Sequence, residues 1–345
     1  MRLPSIVHLD LGLELRGGQR QALLLGSWLA AQGLPVAVGV PRAAPLVGAL
    51  AAAGVPVVLL PSRRGLDPRN VALLARRLPP KAILHTHEAR AASLGAAVRL
   101  LRPDVRLVHT RRVSYPLGRG WSRWKYARAD AVVAVGADVA RVVETSGVSV
   151  TAVIPSAIPV VEYPPRTGWH GGRIGIIGAL TPQKGHETLL EAMRFMDAVE
   201  LWVVGEGPLL ASLVQRAQTL GVASRVHWKG WQPAAQVLPQ LDAVAVPSPH
   251  GEGSSGVIKE AWACGVPVVC SDLPANVELV EAEVSGLVAP VGDVGALAHA
   301  LRRVLEDQKL AARLVANGRK RVDAYDVPVM GAAYRRLYGV LGYPR

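Results

Sequence analysis

Residues 249–267 read Pro249-His-Gly-Glu252-Gly-Ser-Ser-Gly256-Val-Ile-Lys-Glu260-Ala-Trp-Ala-Cys264-Gly265-Val-Pro267. An apolar run, Asp242-Ala-Val-Ala-Val-Pro247, leads into the stretch, and Val266-Pro-Val-Val-Cys270 leads out. The small residues Gly253-Ser254-Ser255-Gly256 predict a turn. The pattern that follows predicts a helix running to Cys264, with Gly265 as its stop. Strand, loop, helix, strand is the repeating unit of a parallel α/β sheet. A helix starting near Ser254 aims backbone N–H groups and a positive dipole end forward, and diphosphate is the natural guest there. Glu252 falls in the loop and Glu260 about two turns into the helix.

Outward from this stretch the same alternation continues. On its N-terminal side, strands are expected at 174–177, 200–204, 226–229 and 243–246, with helices at 185–195, 208–220 and 233–238 between them. After it come 285–290 as a last sheet element and closing helices at 294–305 and 309–325. Ile158-Pro-Val-Val-Glu-Tyr-Pro-Pro165 and Gly168-Trp-His-Gly-Gly172 mark a linker. Ahead of the linker the alternation runs from a first strand at 6–9 to one at 131–135. The architecture expected is two Rossmann-like, doubly wound parallel-sheet domains facing a cleft. The first covers residues 1–163, the second 164–325, and a C-terminal helix, about 326–345, packs back on the first.

Composition agrees. A chain of 345 residues, half of them hydrophobic, suits two domains with sizeable cores. Two cysteines give no disulfide framework, which fits a reducing compartment. Cys264 and Cys270 read as small buried residues. The opening residues lack the long apolar core of a secretory signal, so a cytoplasmic location is expected. The uncharged runs Gln21–Pro41 and Ala43–Ser62 each break at Gly-x-Pro, and each reads as helix, turn and buried strand rather than a membrane span. The net charge of +13 is uneven. Residues 1–165 hold 21 Lys+Arg against 9 Asp+Glu, and residues 166–345 hold 18 against 17. A basic first half points to an anionic partner: membrane headgroups, a phosphorylated acceptor or nucleic acid.

Four loops at expected strand ends carry the chemistry. They are Gly17-Gly18, His85-Thr-His87-Glu88, Gly178-Ala-Leu-Thr-Pro-Gln-Lys184-Gly185, and the Glu252/Glu260 stretch. Taken singly, each has a plain structural reading: a turn, a satisfied core histidine, a solvated lysine at a helix start. Together they suit a sugar nucleotide. Glycine loops admit phosphates to the backbone. A lysine neutralises a departing diphosphate. One glutamate can hold a ribose diol and another the sugar hydroxyls.

With these residues in view, the chain resembles the retaining glycosyltransferases of family 4, which have the GT-B fold. The resemblance rests on Leu15-Arg-Gly-Gly-Gln19, Ile83-Leu-His-Thr-His-Glu88, Ile177–Gly185, Gly205-Glu-Gly-Pro208, the Glu-x7-Glu pair Glu252/Glu260, and Ser285-Gly-Leu-Val-Ala-Pro290. It implies a nucleotide-sugar donor, a glycan or lipid-linked acceptor, and a role in cell-surface polysaccharide or lipopolysaccharide biosynthesis. His87, Glu252 and Lys184 would stand at the reacting centre. Gly17, Gly18, Gly205, Gly207, Gly253, Ser254, Ser255 and Gly256 would line the donor, with Trp231 beside the base and Glu260 on the ribose. No metal and no other cofactor is implied, and attack from the leaving-group face needs no protein nucleophile. The family commonly carries an arginine where this chain has Ala179, so one phosphate-neutralising cation is absent. Arg20, Arg173 and the Arg111-Arg112 pair are the candidate substitutes.

The segment from Thr110 to Arg128 sets Arg111, Arg112, Arg119, Arg123 and Lys125 among Trp121, Trp124, Tyr115 and Tyr126. Cations beside aromatics suit an acceptor or an anionic membrane surface on the inner face of the membrane. The alternative is that the two tryptophans pack into the core. Nucleic-acid binding is not expected, since no recognised module is present. Two other functions remain open at this stage: a nucleotide-sugar epimerase, and a non-catalytic nucleotide-sugar-binding subunit, the latter motivated by Ala179.

Overall fold

The structure, a computed structural model, describes residues 5–342. Among these, one unit comprises residues 5–157 and 327–342, and the other residues 158–326.

In the first unit, β1 (Ile6–Leu9), α1 (Gly17–Ala31), β2 (Val36–Pro41), α2 (Leu46–Ala52), β3 (Val57–Leu60), α3 (Pro68–Arg77), β4 (Ile83–Thr86), α4 (Ala89–Leu101), β5 (Arg106–Arg111), α5 (Trp121–Ala127), β6 (Ala131–Ala134), α6 (Ala137–Thr145) and β7 (Ala152–Val153) follow in order. Its seven strands lie in the order β3-β2-β1-β4-β5-β6-β7, all parallel. In the second unit come β8 (Arg173–Ile177), α7 (His186–Ala192), β9 (Glu200–Val204), α8 (Leu210–Thr219), β10 (Val226–Gly230), α9 (Ala234–Val237), β11 (Ala243–Val246), α10 (Gly256–Cys264), β12 (Val268–Ser271), α11 (Pro274–Val277), β13 (Leu287–Ala289), α12 (Val294–Glu306) and α13 (Gln308–Val322). Its sheet order is β10-β9-β8-β11-β12-β13, again all parallel. The last helix, α14 (Val327–Val340), belongs to the first unit.

Strands β1, β4, β6, β11 and β12 are buried at every residue, as a parallel sheet covered by helices on both faces requires. In each sheet the chain reverses direction once at the middle, between β1 and β4 and between β8 and β11. Ligands of doubly wound sheets bind outside the carboxyl ends of strands flanking such a point. Helix α14 packs Met330, Tyr334, Leu337 and Tyr338 against Leu25 and Leu29 of α1 and Ile83 and Val108 of the sheet. Gly331 makes the close approach possible, since a Cβ there would lie 2.3 Å from the Trp28 ring.

The division between units falls at Ala157/Ile158, earlier than the 163/164 boundary read from the proline-rich linker. Tyr163 is buried in the second unit's core with Trp262 and Ile258, which assigns the linker's first residues to that unit. The two uncharged runs resolve as α1–β2 and α2–β3, with Gly33 (φ +74°) and Gly54 (φ +68°) at the turns. No described helix is long and apolar enough to cross a membrane.

Candidate functional site

In the second unit the deciding stretch forms the end of β11, a loop and α10. Ser255 is the residue before the helix, and Gly265 ends it in the left-handed region at φ +72°. Ile258, Ala261, Trp262 and Cys264 face the core and fix the helix rotation. That rotation places Glu260 5% exposed, with its Oε1 accepting from the Tyr163 hydroxyl at 2.7 Å. Gly256 lies one turn before it, and a Cβ there would stand 4.0 Å from Glu260 Oε1.

Glu252 is 6% exposed, and its Oε1 accepts from Lys184 Nζ at 2.7 Å and from Ser248 Oγ at 2.8 Å. Ser248 is fixed in turn, because Ser271 Oγ donates to its carbonyl and Asn276 holds Ser271. Gln183 Nε2 donates to the Gly251 carbonyl at 2.7 Å. Two adjacent side chains of the lysine loop therefore clamp two adjacent residues of the glutamate loop. Lys259 is fully buried. Its Nζ donates to Ser254 Oγ at 2.5 Å and lies 4.8 Å from the Tyr325 ring centroid. An ammonium only donates, so the Ser254 oxygen is an acceptor here and its proton points elsewhere.

Glycines let these loops meet. At Gly205 (φ +141°) a Cβ would lie 1.9 Å from the Gly178 carbonyl oxygen, and at Gly207 2.5 Å from that of Leu180. The motif that the sequence assigned to the donor thus lets the loops after β8 and β9 cross. Trp231, just past β10, is 68% exposed. Arg173 is no replacement for an arginine at position 179. It starts β8, at the end opposite the loop, with its guanidinium over Trp202 and beside Glu200.

In the first unit, Asp10 closes the β1 loop onto α1. It accepts from the Gly12 N–H at 2.9 Å and from Gln19 Nε2 at 3.0 and 3.2 Å. Burial pushes its carboxyl up and these bonds oppose the rise. Gly17 is exposed, and the space where its side chain would stand is open. The first atom a Cβ on Gly18 would meet is Arg112 Cδ, at 3.8 Å.

His85 and His87 alternate onto one face of β4, and His8 on β1 is the register partner of His85. His87 is 2% exposed and both its ring nitrogens are engaged: Nδ1 with Arg112 Nη2 at 3.1 Å, Nε2 with His8 Nδ1 at 2.9 Å. His8 Nε2 faces Tyr338 Oη at 3.4 Å, Tyr338 Oη meets His85 Nδ1 at 2.6 Å, His85 Nε2 meets Thr110 Oγ1 at 2.7 Å, and Thr110 Oγ1 meets Tyr334 Oη at 2.9 Å. Burial holds the His8 pKa down to about 3 and those of His85 and His87 well below 6.5. The ligating atoms of His8, His85 and His87 lie within 4.8 Å of one another, as in a metal triad. Every ring nitrogen of the three is already engaged, His8 Nδ1 with His87 Nε2 and both nitrogens of His85 with Tyr338 and Thr110, and a guanidinium touches His87, so the donor set does not fit a cation. Glu88 caps α4, accepting from the Arg90 and Ala91 N–H groups.

The basic aromatic segment splits. Arg119, Arg123 and Arg128 are exposed, and Trp121 is 42% exposed, stacked on Trp124 at 4.7 Å. Lys125 is buried, its ammonium donating to the Ala89 carbonyl and Ser93 Oγ, so it ties α5 to α4 and is not on the surface. Arg111 is buried and holds the following turn through the Tyr115 carbonyl.

Lys184, Gly205, Gly207, Glu252–Gly256 and Glu260 therefore gather at the carboxyl ends of β8, β9 and β11 in the second unit. Gly17, Gly18, His87 and Arg112 gather at those of β1, β4 and β5 in the first. Sequence reading missed His8, Asp10, Tyr163, Ser248, Tyr334 and Tyr338. The available signal was a polar residue inside an apolar strand, as at His8 and His85.

Comparison with known proteins completes the picture. Residues 15–161 match the model of glycosyltransferase family 4, and residues 172–321 that of the glycosyl transferases group 1. A phosphatidyl-myo-inositol mannosyltransferase of Mycobacterium leprae is 30% identical over 75% of this chain and 67% of its own length. A lipopolysaccharide core biosynthesis glycosyltransferase, LpsE of Rhizobium meliloti, is 33% identical over 41% of this chain, and the match spans 42% of that relative. Among solved structures, Anabaena Alr3699/HepE in complex with UDP and glucose superposes with a TM-score of 0.85 at 20% identity, covering 97% of this chain and 99% of that one. The fold is GT-B, and the chain belongs to the family 4, group 1 glycosyltransferases.

Proposed function

We propose that the protein is a retaining glycosyltransferase that moves a sugar from a nucleotide-sugar donor to a glycan or lipid-linked acceptor in cell-envelope glycan synthesis. The observation that carries the reading is the second unit's constellation, with Glu252 bonded to Lys184 and Glu260 held by Tyr163 on α10. In this reading Glu260 takes the ribose hydroxyls and Trp231 lies by the base. Lys184 and the α10 N-terminus receive the diphosphate, and Glu252 with Gly253–Ser255 holds the transferred sugar. The acceptor hydroxyl attacks from the leaving-group side. The departing phosphate oxygen takes its proton, so no protein nucleophile is required. Lys184 and the helix end carry the leaving charge, and the reading calls for no metal. Both ring nitrogens of His87 are engaged, so a role for it in the reaction uses its backbone or needs it to leave these bonds.

The acceptor class is supported by the basic first half and by the envelope acceptors named for the relatives. The exposed Arg119, Arg123, Arg128 and Trp121 support association with anionic membranes. The test of transfer is a panel of nucleotide sugars with wild type and Glu260→Ala. Loss of turnover together with weakened nucleotide binding in the variant is expected, and full activity would refute the site assignment. Sedimentation with anionic vesicles is expected to be lost between low and high salt. Salt-independent sedimentation, or none, removes the membrane part of the proposal.

A further inference from the structure

The second unit carries a cavity of about 600 Å³ that takes no part in the site described above. Asp242 and Gly265 are among the residues that line it. Asp242 precedes β11 and Gly265 follows α10, so the cavity lies at the amino end of β11, whereas Glu252 follows the carboxyl end of that strand. Four strand residues at about 3.3 Å each put roughly 13 Å between the two ends. The volume falls in the range of small-molecule sites, about 300–1,000 Å³.

One wall is apolar, made by Val304 of α12 and by Ala311, Ala312, Val315 and Ala316 of α13. Trp169 adds a half-exposed ring. The charged lining residues are Arg166, Asp242 and Arg319, and their charges are not equally available. Asp242 is buried, and its carboxylate accepts from the N–H groups of His170, Gly172 and Arg173 and from Arg166 Nη1 at 3.3 Å. Those bonds fix the loop that carries Trp169 and use up the charge of Arg166. Arg319 differs. Its guanidinium lies across the end of α10, where a Cβ on Gly265 would stand 2.6 Å from Nη2. Among the described residues no carboxylate forms an ion pair with it. The negative end of a helix offsets only part of a full charge. Helix α13 also carries Lys309, Arg313, Lys320 and Arg321 and has no acidic residue.

This chemistry selects the ligand. A sugar nucleotide needs many hydrogen-bonding partners, and the cavity has few left to give. A cation would face Arg319, and a bare phosphate would leave the apolar wall in water. A molecule with one anionic head and an alkyl chain meets both features, the head through charge-assisted hydrogen bonds and the chain by burying the wall. From Gln308 to Arg319 the helix rises about 16 Å at 1.5 Å per residue, which is the length open to the chain.

We propose that this cavity binds a single-chain anionic amphiphile, with its carboxylate or phosphate on Arg319 and its alkyl chain along α13 toward Gln308. The site lies within the second unit and does not rest on the transfer reading. Calorimetric titration of the full chain with dodecyl phosphate and dodecanoate, below their micelle concentrations, tests it in wild type, Arg319→Gln and Ala316→Trp. Dodecyltrimethylammonium, dodecanol and inorganic phosphate are the controls. Both substituted positions are exposed, so the core stays intact, and thermal unfolding checks that each variant is folded. Ala316→Trp fills the cavity and leaves every charge in place. Wild type is expected to bind at least one of the two anionic amphiphiles, and every control at least tenfold more weakly. Each variant is expected to weaken that binding tenfold or more. The tighter of the two heads tells carboxylate from phosphate. No binding of either anionic amphiphile by wild type, wild-type affinity in either variant, or equal affinity for any control would overturn the site. Sedimentation with phosphatidylglycerol vesicles is the last arm. Arg319-dependent sedimentation without binding of the soluble amphiphiles would also overturn it, because α13 would then meet a lipid surface rather than hold one chain.

Discussion

The two units solve the same electrostatic problem in opposite ways. At the strand ends of the second unit the loop cation, Lys184, is bonded to a carboxylate, Glu252, at 2.7 Å. At those of the first unit Arg112 is held by a neutral histidine and a serine. A phosphate arriving at Lys184 competes with Glu252, whereas among the described residues no carboxylate forms an ion pair with Arg112. The difference teaches that charge at the second site is conditional. Lys184 becomes fully available only when Glu252 turns to another partner, and in the proposed function that partner is the donor sugar.

The largest effect expected from this contrast is on transfer. Removing one group that stabilises a leaving charge typically lowers turnover about 10²–10³-fold, and Lys184→Ala is expected to do so. Glu252→Gln keeps the shape and releases the ammonium. Nucleoside diphosphate affinity should be equal or tighter while turnover falls. Parallel weakening of nucleotide binding in both variants would break the contrast, because the pair would then act as one binding unit.

Next in size is Gly205→Ala. A methyl group 1.9 Å from the Gly178 oxygen, at φ +141°, forces the crossing loops apart. Overpacking of this kind destabilises by about 1–3 kcal/mol or more. Thermal unfolding should show the loss in the second unit, and wild-type stability would mean that the crossing is not tight.

Acid should separate the units. His8, His85, His87 and His109 of the first unit, and His186 of the second, have pKa values lowered by burial, to about 3 for His8 and about 4 for His109 and His186. Folded, these rings stay neutral, while the unfolded chain protonates them below about pH 6.5. The stability they contribute is complete above that pH. It is lost as the pH falls toward 4, at up to about 1.4 kcal/mol per pH unit for each histidine. Asp10 and Glu88, whose carboxyls are pushed up, bind protons in the folded state and offset part of the loss. Hydrogen exchange at pH 7.5 and 5.5 should show first-unit amides losing more protection than second-unit amides. Equal losses would contradict the account.

The smallest effect is at Tyr163. The bond from its hydroxyl to Glu260 is worth about 1.5–3 kcal/mol, as a hydrogen bond to a charged group. Tyr163→Phe should weaken nucleotide binding modestly, and unchanged nucleotide affinity would mean that the Tyr163 hydroxyl does not position Glu260.

Much of this was legible in the sequence. Buried parallel strands read as apolar runs, Gly33 and Gly54 split two hydrophobic stretches correctly, and the spacing of Glu252 and Glu260 placed both on one strand–loop–helix unit. What was not legible depends on strands that are neighbours in the sheet and distant in the chain. His8 and His85 face each other only because β1 pairs with β4. Tyr334 and Tyr338 join them only because α14 returns to the first unit. Tyr163 read as linker because its role needs α10 beside it. Lys125 read as surface because the pattern of charge among aromatics does not reveal which cation turns inward. The partner of Lys184 was also out of reach, since a lysine and a glutamate in separate loops carry no sign that they pair.

The central claim is that the second unit's glutamate stretch binds a nucleotide sugar for transfer. Thermal unfolding of wild type and Glu260→Ala against UDP-, GDP- and ADP-sugars tests it most directly. A ligand at one hundred times its Kd adds about 2.7 kcal/mol to the folded state, and each kcal/mol raises Tm by about 2–4 °C for a unit of this size. The account predicts a rise of several degrees with at least one nucleotide sugar, lost in Glu260→Ala. A rise of equal size in the variant, or none with any nucleotide sugar in wild type, would contradict it.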